Sequence, residues 1–286
     1  MALIDAEVSA AVFSPLGLGL LGLCIGSFLN VVIHRLPRML ERGWKLESAE
    51  LLGVKADEPE AITLSTPRSR CPSCGYQIAW HENIPVLSWL WLRGRCSACK
   101  ARISARYPFV ELLTGVLFAL VAWRFGPTPI ALLWCGFVAV LVALAGIDWD
   151  TTFLPDNLTL PLLWAGLVAS ALGWTIPLGD AVWGAVAGYL SLWSVYWLFK
   201  LATGKEGMGF GDFKLLAALG AWLGLKMVLP VVLAASVLGA VVGIGMKLSA
   251  NLREGRYVPF GPFLAGAGLL VMLAGSNRVL DWLGWI

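Results

Sequence analysis

Gly207-Met208-Gly209-Phe210-Gly211-Asp212-Phe213-Lys214 sets one carboxylate behind three alternating glycines, at the mouth of a short apolar run, residues 215–225. Sixty-four residues upstream a second carboxylate, Asp148, closes another apolar run, residues 134–147. Acidic side chains at the ends of apolar segments are costly in a membrane and mark functional positions there. Two of them on different helices point to a shared acid–base site. The rest of the chain reads as scaffold, orientation and substrate handling around that pair.

Composition fixes the class. Hydrophobic residues make up 58% of the 286 and charged residues only 14%, with a mean hydropathy of +0.78. Soluble domains run nearer ~45–50% apolar. No run of ~10 residues alternates as a membrane β-strand would. An all-α polytopic membrane protein is expected. Apolar runs at residues 11–33, 108–123, 130–147, 158–174, 181–199, 213–225, 227–248 and 260–274 predict about eight transmembrane helices. The run at 213–225 is the shortest and carries Gly220 and Gly224, and interrupted segments of this kind often border a site. Residues 1–10 hold Asp5 and Glu7 and no basic residue, so no signal peptide is expected. The 15 tryptophans suit interface belts, with Trp89, Trp91, Trp123, Trp174, Trp282 and Trp285 as members. A net charge of +3 is too small to imply nucleic acid.

Between Arg35 and Arg106 the chain is polar, with twelve Lys/Arg and seven Asp/Glu. It contains Cys71-Pro72-Ser73-Cys74 and, 21 residues on, Cys96-Ser97-Ala98-Cys99. Paired CxxC knuckles at this spacing predict a closed four-thiolate zinc site that staples a small loop domain without a core of its own. Two disulfides are the rival and need an oxidising compartment. Placing this loop in the cytoplasm puts 18 basic residues in inside loops against 3 outside, with both termini on the far side and both aspartates on the loop's side. Zinc then prevails. Cys24 and Cys135 read as packing residues. The expected divisions are residues 1–34, a first transmembrane helix; 35–107, a zinc-ribbon-like cytoplasmic domain; and 108–286, a seven-helix membrane peptidase domain.

Other polar residues allow two readings. Asn30 and His34 share a helix face and either meet a common partner or serve as an interhelical hydrogen bond and an interfacial imidazole. Glu111 faces either the acid–base site or basic groups at the interface. Asp156 reads as a helix cap and Asp150 as solvated. The acidic residues Glu41, Glu47, Glu50, Asp57, Glu58 and Glu60 form a solvated loop or attract a basic ligand. Two carboxylates within reach of one another cannot both ionise easily, so one holds a proton. Such a dyad has a base for water and an acid for a leaving amine. Gly207, Gly209 and Gly211 would let an extended peptide approach Asp212 closely.

These residues carry a resemblance. Gly26-Ser-Phe-Leu-Asn-Val-Val-Ile-His-Arg-Leu-Pro37, the double CxxC, Arg106-Tyr-Pro-Phe-Val-Glu-Leu-Leu113, Ile147-Asp148, Leu154-Pro-Asp-Asn-Leu-Thr-Leu-Pro161, the 207–214 element and Val258-Pro-Phe-Gly-Pro-Phe-Leu-Ala265 occur in one order. Together they resemble the bacterial prepilin peptidases (type IV leader peptidases), membrane aspartic proteases of the GxGD class, over nearly the whole chain. The resemblance implies catalytic roles for Asp148 and Asp212 and a metal-binding tetrad of Cys71, Cys74, Cys96 and Cys99. It also implies removal of the basic leader from type IV prepilins and type II secretion pseudopilins at the cytoplasmic face of the bacterial inner membrane. S-adenosylmethionine-dependent N-methylation of the new terminal residue, usually phenylalanine, would follow. No GxGxxG follows a strand, so the residues of the methyl-donor site stay unassigned. The competing classes are a secondary transporter relaying protons through the two aspartates and a zinc-dependent scaffold. One-sided carboxylates and the absence of a visible repeat favour the enzyme.

Overall fold

The computed structural model describes residues 11–55, 61–248 and 258–285. Among these, ten α-helices and two isolated antiparallel bridges are found, and no strand. They are α1 (Pro15–Leu52), α2 (Leu87–Trp91), α3 (Arg106–Phe125), α4 (Pro129–Thr151), α5 (Asp156–Ala171), α6 (Leu178–Thr203), α7 (Phe210–Leu223), α8 (Leu225–Leu248), α9 (Gly261–Ala274) and α10 (Ser276–Leu283). The all-α expectation holds. Five helices, α1, α3, α4, α6 and α8, are long and apolar enough to cross a membrane, and α9 with α10 forms a pair bent by 100°. The predicted segments at 158–174, 213–225 and 260–274 are helices of 16, 14 and 14 residues. The chain divides into two compact units, Met1–Ala143 and Leu144–Ile286, with the boundary inside α4.

In the first unit the expected loop beginning at residue 35 is helix as far as Leu52. Ser14 caps α1 by accepting from Gly17 N at 3.0 Å, Pro15 opens it, and Gly53 ends it at φ 65°. Hydropathy locates where apolar sequence ends, not where helix ends. Residues 38–52 are mostly good helix formers. The interruption at Pro37 is bridged by tertiary support, since the Arg35 guanidinium donates to Thr63 O at 2.8 Å and Pro67 O at 2.7 Å. Asp57, Glu58, Glu60, Arg253, Arg256 and residues 1–10 lie outside the described residues.

α1 packs on α3 through Gly22 and Gly26. A Cβ at Gly26 would lie 2.7 Å from the Glu111 Cα, and one at Gly22 would lie 2.8 Å from the Gly115 Cα. Small residues four apart let membrane helices approach backbone to backbone. Asn30 supplies the polar fastening, donating to Tyr107 O at 3.1 Å, which is the interhelical bond rather than a ligand contact. His34 Nε2 pairs with Arg38 at 2.7 Å. Cys135 is buried as expected, whereas Cys24 is exposed on the outer side of α1.

In the second unit α7 is the axis, with α5, α6, α8 and α9 packed around it. Fourteen residues give about 21 Å of helix, short of the ~30 Å hydrocarbon core. Nearly all its side chains from Asp212 to Leu223 are buried. The neighbours reach it through glycines. Gly184 of α6 meets the Gly220 backbone, Gly188 meets the Leu216 carbonyl, and Gly268 of α9 meets the Leu219 side chain. Trp222 lies over Gly166 of α5 and donates to Leu162 O at 2.8 Å. Replacing Gly220 with alanine drives a Cβ into the Gly184 carbonyl. We expect a loss of roughly 1–3 kcal/mol of stability, read as a lowered melting temperature in detergent, because overpacked backbone contacts cannot relax as side chains do.

Candidate active site

Both aspartates belong to the second unit and both are buried, Asp148 at 5% and Asp212 at 8% exposure. Asp148 lies one turn before the end of α4, which continues to Thr151 and closes with Thr152 N bonding Asp148 O at 2.8 Å. Asp212 is in the first turn of α7, whose N-cap is Gly209 in an extended conformation. It is therefore inside the helix and not its cap. The two carboxylates flank the same turn: Leu154 touches Gly211, next to Asp212, and Gly261, whose N–H donates to Asp148.

Two residues outside the expected site hold this arrangement. The Gly261 N–H at the start of α9 donates to Asp148 Oδ2 at 2.9 Å. A Cβ at residue 261 would lie 2.6 Å from that oxygen, so only glycine allows the contact. Leu154, in the turn after α4, packs against both Gly261 and Gly211. Cβ atoms there would stand 3.1 Å and 2.7 Å from its side chain. Leu154 thus wedges the turn after α4 between the starts of α7, which carries Asp212, and α9, whose Gly261 N–H holds Asp148. Asp212 Oδ1 is buried and has no hydrogen-bond partner among the described residues, an arrangement that native structures rarely leave unexplained.

The glycine loop does less for access than its sequence suggests. Gly207 lies under the Phe199 ring and Gly211 against Leu154, so both are packing requirements. Only Gly209 opens on space. Lys200 steadies the loop by pairing with Glu206 at 2.8 Å. Asp156 is not a cap: Pro155 holds that position, and Asp156, in the first turn of α5, receives Lys214 Nζ at 2.7 Å on each oxygen. Asp150 is exposed. Gly261→Ala is expected to push the Asp148 carboxylate out of register while leaving the helices intact. Asp148-dependent turnover should then fall at least tenfold, with an unchanged melting profile, since a displacement near 1 Å is costly at a reacting centre.

The first unit holds the other constellation. The sulfurs of Cys71, Cys74, Cys96 and Cys99 lie within 4.8 Å of one another. Two equivalent knuckles bring them there. Cys71 N bonds Tyr76 O at 2.8 Å and Gly75 N bonds Cys71 O at 2.9 Å; Cys96 N bonds Ala101 O at 2.9 Å and Lys100 N bonds Cys96 O at 3.0 Å. Each is closed by one antiparallel bridge, Arg70 with Gln77 and Arg95 with Arg102, and each turns on a left-handed residue, Gly75 or Lys100. Backbone N–H groups of Ser73 and Cys74 lower the Cys71 thiol to about 6. Cys74, despite a backbone bond from Tyr76, is pushed up to about 12 by desolvation and its crowded sulfur neighbours. Four such groups cannot all be thiolates unless a cation sits among them, and a dication is the partner that fits.

Two further residues have partners inside this unit. The Trp89 indole N–H donates to Ile103 O at 3.2 Å and its ring covers Gly94. Glu111 finds a partner within its own unit. It is buried and accepts from Val86 N at 2.7 Å, where Val86 stands at φ 62°. Charge-assisted bonds of this kind are worth ~1.5–3 kcal/mol. Glu111→Leu should lower the melting temperature and speed hydrogen exchange at the Val86 amide.

Comparison with known proteins identifies relatives for both halves of the chain. Residues 20–125 match the model of the bacterial peptidase A24 N-terminal domain, and residues 135–244 match that of the type IV leader peptidase family. Relatives named prepilin leader peptidase/N-methyltransferase include one from Aeromonas salmonicida, 56% identical over 90% of each chain. Another, from Pseudomonas putida, is 54% identical over 90% of this chain and 89% of its own. A third, from Pseudomonas aeruginosa, is 52% identical over 92% and 91%. No solved structure matches the chain. With both halves matched and more than half the residues shared with such relatives, the chain belongs to the type IV leader peptidase family.

Proposed function

We propose that this protein removes the basic leader peptide from type IV prepilins and type II secretion pseudopilins and then N-methylates the newly exposed terminal residue, usually phenylalanine. The observation that carries the reading is the buried pair Asp148 and Asp212, held together by Gly261 and Leu154. The pair shares one proton. The ionised member takes a proton from a water that attacks the scissile carbonyl. The protonated member delivers its proton to the leaving amine. Burial excludes bulk water and strengthens each charge. The open side at Gly209 is where a peptide backbone reaches the pair. The transporter alternative has no support in these relatives.

The placement we propose has eight transmembrane segments in a bacterial inner membrane, with both termini periplasmic and the cysteine domain and aspartates cytoplasmic. The excess of basic residues in loops on one side supports it. The short α5, α7 and α9 then serve as membrane segments beside the five longer ones. The prepilin's apolar helix lies in the bilayer, its basic leader remains in the cytoplasm, and the junction meets the dyad. The Cys71, Cys74, Cys96 and Cys99 tetrad would hold zinc as a closed structural site.

The methyl donor is S-adenosylmethionine, whose sulfonium supplies an activated methyl group. We assign its site to the first unit, around residues 26–37 and the cysteine domain. No strand-and-glycine cradle exists among the described residues for a dinucleotide-type mode. Substitutions there that abolish methylation and spare cleavage would support the assignment, and unchanged methylation would count against it.

The test is mass spectrometry of purified prepilin incubated with the solubilised protein, with and without S-adenosylmethionine. Leader removal in both samples, with one added methyl group only when the donor is present, is the expected result. An intact prepilin across the substrates tried would refute the proposal.

A further inference from the structure

The first unit carries an apolar surface that its own fold leaves uncovered. The turn Trp80–Asn83 and the short helix α2 project Trp80 at 78% exposure, Leu87 at 66%, Leu90 at 57% and Trp91 at 77%. Trp89, on the other side of α2, is occupied inside the domain. An exposed patch of two tryptophans and two leucines in so small a domain marks an interaction site rather than ordinary surface.

What covers it follows from its height along α3. The Val86 amide, immediately before α2, is bonded to the Glu111 carboxylate. Glu111 lies five residues into α3, about 7.5 Å past its first residue. α3 is a candidate membrane span that begins at Arg106. A backbone tied at that depth lies in the headgroup layer, roughly 5–8 Å thick on each side of the ~30 Å core. Phe109 and Leu112, in the same first turns of α3 as Glu111, are also exposed apolar side chains. Charge agrees: between residues 61 and 106 there are seven Lys/Arg and a single acid, Glu82. Arg93, Arg95, Lys100 and Arg102 are exposed. Glu82 is itself engaged, accepting from Ala79 N at 3.0 Å.

We infer that Trp80, Leu87, Leu90 and Trp91 dock the cysteine domain into the membrane interface, with the surrounding arginines and lysine on anionic phospholipid headgroups. Tryptophan and leucine at headgroup depth beside basic side chains form the pattern of an interfacial anchor. The anchor keeps the domain against the membrane, where it cannot swing into the cytoplasm.

The test is hydroxyl-radical footprinting of the full-length protein in phosphatidylglycerol/phosphatidylethanolamine nanodiscs, read by peptide mass spectrometry. Trp44, 48% exposed on the extension of α1, is the internal reference. Trp80 and Trp91 are more exposed than Trp44 in the fold, yet should oxidise several-fold more slowly in the nanodisc. A Leu90→Glu/Trp91→Glu variant should raise Trp80 oxidation to the Trp44 level while keeping its bound metal. Oxidation of Trp80 and Trp91 at or above the Trp44 rate would overturn the inference. So would protection that develops only on adding a prepilin peptide, which would make the patch a substrate surface. Protection indifferent to phosphatidylglycerol would overturn its electrostatic half.

Discussion

Asp148→Asn and Asp212→Asn are each expected to lower prepilin cleavage by roughly 10³-fold or more, and the double variant scarcely further, because residues that act as a unit lose their function with the first removal. Asparagine keeps the volume and, at residue 148, an oxygen for the Gly261 N–H. The melting temperature should stay close to that of the parent. Each variant removes the charge and the exchangeable carboxyl proton, leaving one partner able to hold or to accept a proton but not both roles in sequence. Methylation of a synthetic peptide that already lacks its leader should persist in both variants if the donor site lies in the first unit. Cleavage that survives either substitution would mean the dyad is wrongly composed. Exposed Asp150 and Lys214-paired Asp156 would then be the next groups to test.

The aspartates were legible because a carboxylate in apolar sequence has so few structural uses that its position alone argues function. The cysteines were legible because CxxC spacing fixes local geometry, and the two knuckles share the same hydrogen bonds. Gly261 and Leu154 were not. Each acts on a residue distant in sequence or on a segment set beside it only by tertiary packing, and neither carries a charge to betray it. The Glu111–Val86 bond escaped for the same reason, since one of its partners is a backbone amide available at any residue. Hydropathy placed the apolar runs well but missed the length of α1, because helix propensity and membrane depth are separate properties that happen to end together in most spans. The glycines of the 207–214 element were read as openings, whereas two of the three fill contacts with Phe199 and Leu154. Absence of a Cβ says only that something is near or that nothing is, and the sequence cannot tell which.

Cys96→Ser is expected to release the metal and unfold the cysteine domain while the membrane helices persist. Among residues 61–105 the buried side chains of the apolar class are Cys71 and Cys96 alone, so the domain has almost no core besides its sulfurs. A segment so poor in buried carbon needs a covalent or metal staple, and structural zinc binding supplies ~10–16 kcal/mol in comparable small sites. The parent protein should contain about one dication per chain by elemental analysis, and Cys96→Ser none. Hydrogen exchange should rise across residues 61–105 and stay low in α7, which lies in the other unit. Activity should divide along the same line. Methyl transfer, assigned to the first unit, should be lost, whereas cleavage by the Asp148/Asp212 pair should keep the greater part of its rate. Equal loss of both activities with α7 still protected would mean the cysteine domain also presents the substrate to the dyad. Retention of the domain's slow exchange after complete metal removal would show that the tetrad is not a structural metal site at all.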